Sequence, residues 1–258
     1  MERRFLFGRQ VSPTKPVADG PRRVFVLGAY PSALHVRWFG PEGDLLIQAV
    51  AVDNEPEPFW TGDDQRDRID AWVDSVSFRD DWGRVESCGN LNGSSGKWVQ
   101  SQVIDQLGVA RHETWITDCL DTYFESDAAS KRLASEAVSR LVNMHGISVC
   151  CHLPHPTESQ IVQMALDEHR ERLISELSVA HPERVVTLGN AALRVFGKIV
   201  KGAERSISKL SAESYGEPID VRVDGRSIEW IPLAHPAAPA VYQEAHKNWV
   251  AARTRSLK

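Results

Sequence analysis

The chain has 258 residues, 42% of them hydrophobic, enough to bury a substantial core as one large domain or two small ones. No run approaches the roughly 20 apolar residues of a membrane helix, and the apolar part of the N-terminus is too short for a signal peptide. No membrane contact and a cytoplasmic location are therefore expected. Thirty basic against 35 acidic residues give a net charge of −5, which excludes a purely electrostatic nucleic-acid coat but leaves room for a local basic groove. Cys88, Cys119 and the adjacent Cys150-Cys151 form no C-x-x-C and lack the spacing of a secreted disulfide framework, so neither metal nor cofactor is expected.

In chain order, residues 1–22, with Pro13, Pro16, Gly20 and Pro21, read as an extended lead-in to a single domain over 23–258. The first strand is 23–28. A second apolar run, 45–52, precedes the Pro-rich Asp53-Asn-Glu-Pro-Glu-Pro-Phe-Trp60. A polar helix is expected over 63–73, followed by an acidic, Trp-bearing insertion at 78–84. Gly93-Ser-Ser-Gly96 opens a helix from Lys97 to Leu107 that stops at Gly108, and residues 30–40 read as a loop.

A strand at 113–117 and a helix over 128–145 follow. The segment 158–179 is the clearest amphipathic helix: Val162, Ala165, Leu166, His169, Leu173 and Leu177 fall at three- and four-residue spacing. A strand at 184–188, a helix at 191–200, a hairpin about Asp224-Gly225 over 220–233, and a closing helix at 242–254 complete the chain. This alternation predicts an α/β sandwich. Ligands of parallel sheets bind outside the strands' carboxyl ends. Four such ends would deliver Tyr30, Asp118, Asn190 and His235 to one rim.

Seven short motifs occur in order over 23–250: Gly28-Ala-Tyr-Pro-Ser32, Pro58-Phe59, Gly93-Ser-Ser-Gly96, Ile116-Thr-Asp118, Pro154 to Ile161, Leu188-Gly-Asn-Ala-Ala192 and His235-Pro-Ala237. In this order the chain resembles the uracil-DNA glycosylase superfamily. The resemblance implies a three-layer α/β/α sandwich around a central four-stranded parallel sheet. Its pocket would receive a nucleotide flipped out of DNA, since the atoms to be attacked are inaccessible within the stack.

Cleaving an N-glycosidic bond builds positive charge on the sugar and negative charge on the departing base. By the resemblance, His235 donates a hydrogen bond to the base oxygen, Phe59 stacks on the base, Asp118 stands where an Asn reads the base edge, and Gly28, Ala29 and Tyr30 line the pocket. The structural alternatives are a strand-end anchor for His235, a core ring beside Trp60 for Phe59, and a loop cap for Asp118. Active members carry a carboxylate or Asn in the first motif, and Gly28–Ser32 has neither. Asp53 and Glu55 are the substitutes for holding the attacking water, with His35 also nearby.

The Ser94-Ser95-Gly96-Lys97 turn is a candidate phosphate contact. Val241 or Tyr242 either wedges into the duplex or packs the last helix. His246, Lys247, Arg253, Arg255 and Lys258 supply basic charge nearby. The leading reading is a monofunctional DNA glycosylase acting on DNA with a damaged or modified base, with no obligate protein partner. A relative that binds DNA without excision and an unrelated nucleotide-binding enzyme are the alternatives; no G-x-G-x-x-G or Walker A pattern supports the last. An ionised Asp118 only accepts hydrogen bonds, so plain uracil is expected to be a poor substrate or only one of several, with amino-bearing or modified bases, cytosine types among them, the first to test.

Overall fold

The structure, a computed structural model, describes residues 3–126, 130–131, 133–147, 155–203 and 207–256. Cys150, Cys151, Pro154, Lys258 and the start of the helix expected from 128 lie outside the described residues, as does the side chain of Arg255. The elements are β1 (Val24–Gly28), β2 (Ala33–Phe39), β3 (Leu45–Asn54), α1 (Gln65–Ser75), β4 (Arg84–Ser87), α2 (Ser94–Val99), β5 (Thr114–Asp118), α3 (Glu136–His145), α4 (Glu158–Glu168), α5 (Arg170–Ala180), β6 (Arg184–Leu188), α6 (Gly189–Ile199), β7 (Ile219–Val223), β8 (Arg226–Leu233) and α7 (Ala240–Ser256).

The main sheet has five strands rather than the expected four, in the order β5-β1-β6-β8-β7. The first four are parallel; the fifth, β7, is antiparallel to β8. It is the first arm of the expected hairpin, turned by Asp224 (φ 49°) and Gly225 (φ 79°). Both residues have positive φ, as a two-residue hairpin turn that follows the sheet twist requires.

Period two sorts the side chains of this sheet onto two faces. Phe25 and Trp115 stack at 6.5 Å, Trp115 donates to Glu176 on α5, and Trp230 lies 4.9 Å from Phe196 on α6. That face therefore meets α5 and α6. The opposite face carries Val26, Ile116, Val186 and Ile231, all buried, and ends at the paired residues Gly28 and Asp118.

Two expectations need correction beside this sheet. The helix over 158–179 is two helices meeting at His169, which leaves helical geometry at φ −120°, ψ 0° with its ring 3.7 Å from Asp121. The apolar spacing stays in phase across the break (Ile161 and Ala165 before it, Leu173 and Leu177 after), so periodicity alone did not reveal it. The helix expected from Lys97 begins at Ser94 and continues through a π turn, Gln100–Ile104, and a 3-10 turn, Asp105–Leu107.

The stretch expected as a loop contains β2, the middle strand of a second, antiparallel sheet of order β3-β2-β4. Leu34, Val36 and Trp38 alternate into its core. The lead-in is not simply extended either. Leu6–Gly8 makes one 3-10 turn, and Phe7 sits 5.0 Å from Trp38 and 5.5 Å from Trp72 in this second core. The Trp-bearing insertion adds Phe78 and Trp82 beside Phe7.

Candidate functional site

The strand ends define the site. In sheet order the chain places Asp118 at the end of β5, Gly28 at the end of β1, Gly189 just past β6 and His235 just past β8. β5 and β6 lie on opposite sides of β1, which makes the β1/β6 boundary the topological switch point where open sheets form their crevice. Gly28 and Gly189 stand at that boundary, and Asp118 and His235 flank them.

Gly28 cannot be another residue without disruption. A Cβ there would lie 2.1 Å from Asp118 Oδ1 and 2.5 Å from the Phe59 ring. The absence of a side chain is what brings the carboxyl and the aromatic ring together over the strand end. Phe59 is aimed there by a left-handed backbone (φ 53°), a conformation that is costly for an aromatic residue. Arg111 secures the turn by donating from Nη2 to the Phe59 carbonyl at 2.9 Å and to Glu57 at 2.8 Å.

Asp118 is 3% exposed, and neither carboxyl oxygen has a hydrogen-bond partner. Burial pushes its pKa up to about 8, with Arg172 pulling it down and Glu176 adding to the rise. Arg172 does not reach the carboxyl. Its Nη2 donates to the carbonyls of Asp118 and Cys119 at 2.8 and 3.0 Å, fixing the strand end from the opposite face. Near neutral pH Asp118 is thus a neutral acid with one donor and one acceptor, not the acceptor-only group assumed from its type.

Of the two candidate water-holding carboxyls, Glu55 joins this group and Asp53 does not. Glu55 is buried; its pKa is raised well above the usual carboxylate range by burial and then by Asp118, while the Ser32 N–H donates to it and opposes the rise. Glu55 is thus held beside Gly28–Ser32 by the N–H of Ser32. Asp53 instead pairs with Arg9 at 3.2 Å and accepts from the Asn54 N–H. His35 lies in β2, with its backbone N–H donating to Asn92.

Tyr30 is half-buried. Its ring meets Phe124 edge-on at 5.6 Å and its hydroxyl shares a short hydrogen bond with His155 Nε2. Burial, then Asp118, pushes its pKa up to about 12, so it remains a phenol. Ala29 beside it accepts from the Leu120 N–H.

His235 is arranged differently. Its Nδ1 accepts from the Ala237 N–H at 3.2 Å, so the neutral ring carries its proton on Nε2 as a donor. The residue is exposed to the cleft, yet the groups crowding it desolvate the imidazolium and lower its pKa. Gly189 (φ 87°) starts the turn into α6 beside it, where an added Cβ would stand 3.5 Å from the His235 Cβ. Asn190 serves the fold by accepting from the Leu210 N–H.

Behind His235, the Ala234 N–H donates to Tyr215 Oη at 2.9 Å, and the Tyr215 hydroxyl shares a hydrogen bond with His246 Nδ1 at 2.9 Å. His246 is buried, 4.7 Å from the Trp98 ring, and its pKa is lowered by burial. It is a neutral structural group rather than the basic surface residue expected. A cavity of about 260 Å³ lies here, bordered by His235, Tyr215, Trp98 and Lys247. Nothing in the motif pattern signalled Tyr215, His246 or Arg172.

The remaining expected contacts are dispersed. Gly96 packs against the carbonyls of Phe59 and Trp60, each 2.2 Å from where its Cβ would stand, so the Ser94–Lys97 turn supports the Phe59 loop. Ser94 is exposed, Ser95 is half-buried, and Lys97 lies 3.7 Å from Asp63. Val241 is 56% exposed, whereas Tyr242 packs with Tyr215 and donates to the Leu210 carbonyl at 3.1 Å. Lys247 pairs with Glu244, and Arg253 stacks over Trp249 at 4.3 Å.

Among the described residues, no helix is long and apolar enough to cross a membrane, and no cluster of three or more His, Cys, Asp or Glu is placed to hold a metal ion. Compared with known proteins, the chain matches no family model and no curated protein.

Proposed function

We propose that the protein is a DNA glycosylase that flips a deaminated or modified base into the crevice between Asp118 and His235 and hydrolyses its N-glycosidic bond. The observation that carries this reading is the strand-end order Asp118, Gly28, Gly189, His235, with a buried, unpartnered acid at one end and an imidazole donor at the other. The two outer ends lie three strand spacings apart, about 14 Å, a gap that two inward-reaching side chains and one base between them can fill. The parallel order β5-β1-β6-β8 supports the finer fold, an α/β/α sandwich of the uracil-DNA glycosylase type. So does the presence of α5 and α6 on one face and the Phe59–α2 region on the other.

In this mechanism the bond between C1′ and the base nitrogen breaks and the base leaves with its electron pair. His235 Nε2–H donates to the base oxygen as negative charge develops, a contribution of roughly 3 kcal/mol for one well-placed donor. Phe59 offers a stacking face. Water held by Glu55 attacks C1′, and the ionised fraction of Glu55 accepts its proton. The product is an abasic site, formed in the cytoplasm during base-excision repair or defence against modified foreign DNA.

As a neutral acid, Asp118 donates to O4 and accepts from N3–H of uracil. Reoriented, it donates to N3 and accepts from the 4-amino group of a cytosine-type base. With neither oxygen tied to the protein, no hydrogen bond selects one orientation. The preference against uracil expected for an ionised Asp118 therefore gives way to acceptance of both edges. The raised pKa of Glu55 also favours one other reading, binding without excision, because a protonated carboxyl cannot accept the water's proton. Release of free base from duplex and single-stranded oligonucleotides, each carrying one uracil or one 5-substituted cytosine, tests both. Base release supports the glycosylase; DNA binding without release supports the alternative.

A further inference from the structure

A cavity of about 430 Å³ lies away from the strand ends. It lies over the amino-terminal half of β5, on the face that carries Thr114 and Ile116, between the lead-in at Val17-Ala18 and the loop at Glu57-Pro58. Its volume is within the range of small-molecule sites, and its walls combine apolar surface with a few polar groups, as such sites do.

The polar groups are Arg22, Arg111, Glu57 and the exposed His112. Arg22 is largely covered by protein, 23% exposed; its Nη1 donates to the Pro21 carbonyl, and its other contact is Asp19 at 3.5 Å, whose 97% exposed carboxylate is well screened by solvent. Arg111 spends Nη2 on Glu57 and the Phe59 carbonyl, while its Nη1 is buried without any hydrogen-bond partner. A buried guanidinium donor left unpaired is unfavourable, and an anionic oxygen relieves it. Two guanidinium groups against one carboxylate in the lining leave one positive charge, which suits a monoanion better than a phosphate monoester.

We propose that this cavity binds a small planar organic carboxylate, its oxygens on Arg22 and Arg111 and its ring between Val17, Ala18, Pro58 and Ile116. The site is separate from the one assigned to DNA and stands whether or not the protein is a glycosylase.

Calorimetric titration of the full chain with 2-naphthoate tests the assignment, with 2-naphthamide as its neutral counterpart and inorganic phosphate as the anion without a ring. The expected result is saturable 1:1 binding of 2-naphthoate, with both comparison compounds at least about tenfold weaker, the scale of losing one charge-assisted hydrogen bond or the enclosed ring. Arg22→Gln should weaken binding about tenfold or more, Ala18→Phe should block it by filling the wall, and Asp118→Asn should leave it unchanged. Absence of 2-naphthoate binding, equal binding of the amide, or unaltered binding by both Arg22→Gln and Ala18→Phe would overturn the proposal. Loss of binding in Asp118→Asn would move the ligand to the strand-end site and overturn it equally.

Discussion

The carboxyl ends of β5 and β8 present their polar groups in opposite states. Asp118 is fully enclosed, carries two unpartnered oxygens and has its pKa pushed up to about 8. His235 faces the cleft, has one nitrogen satisfied by its own loop, and stays neutral to lower pH than an ordinary imidazole. Burial favours the neutral form of both, but for an acid that means keeping a proton and for an imidazole it means not gaining one. Near neutral pH each therefore offers an uncharged donor. The end that is costly to the fold suits recognition, and the end that costs the fold little suits a developing negative charge.

The sharpest way to break this comparison is to remove the β8 donor. His235→Ala should slow single-turnover base release by about 100-fold or more, with little change in thermal stability or DNA affinity. Near-normal release would take His235 out of the mechanism. At the β5 end, Gly28→Ala forces a methyl group into Asp118 and Phe59. A loss of about 1–3 kcal/mol of stability is expected from such overpacking, together with impaired release. Unchanged denaturant midpoints would mean that the ring and carboxyl are not held as described.

The buried acid also has a thermodynamic signature. Its folded pKa is raised above the unfolded value of about 3.9, so the native state binds more protons between the two values. The associated stability is fully present below the unfolded pKa and is lost as pH rises through about 8. Asp118→Asn removes this dependence, so its stability relative to wild type should improve steadily from pH 4 to pH 8. Unfolding curves at a series of pH values measure it, and a constant difference would mean that Asp118 is not the buried acid. The smallest effect is expected at Tyr215→Phe, which removes the hydroxyl supporting Ala234 and His246. The hydrogen bond to Ala234, next to His235, is worth about 1 kcal/mol, so its loss should lower release roughly fivefold in wild type and not at all further in the His235→Ala background. An equal loss in both would give Tyr215 a purely structural role.

Much of the sheet was legible because buried parallel strands announce themselves as apolar runs stopped by Gly, Pro or His, as at Val24–Gly28 and Arg184–Leu188. β2 was not, although Leu34, Val36 and Trp38 alternate cleanly; bracketed by Pro31 and Gly40, they read as loop. Phe59 and Asp118 could be placed at the site from their motifs, but the protonation of Asp118 could not, since it depends on burial by elements far apart in sequence. The same holds for the different surroundings of Asp53 and Glu55, set by an arginine at position 9 and a backbone N–H at position 32. Arg172, Tyr215 and His246 belong to no local pattern; they act through carbonyls and N–H groups that only the folded chain brings near them.

The central claim is that Asp118 reads a flipped base as a neutral acid, and its most direct test is the pH dependence of base release. Wild type and Asp118→Asn should be compared in single-turnover reactions on an oligonucleotide carrying one uracil, from pH 6 to pH 10. Wild-type release should be present below about pH 8 and fall as the acid ionises, whereas the Asn variant, which has no proton to lose, should release uracil with no decline near pH 8. Release by wild type that is undiminished at pH 10, or absent throughout while the DNA still binds, would contradict the account.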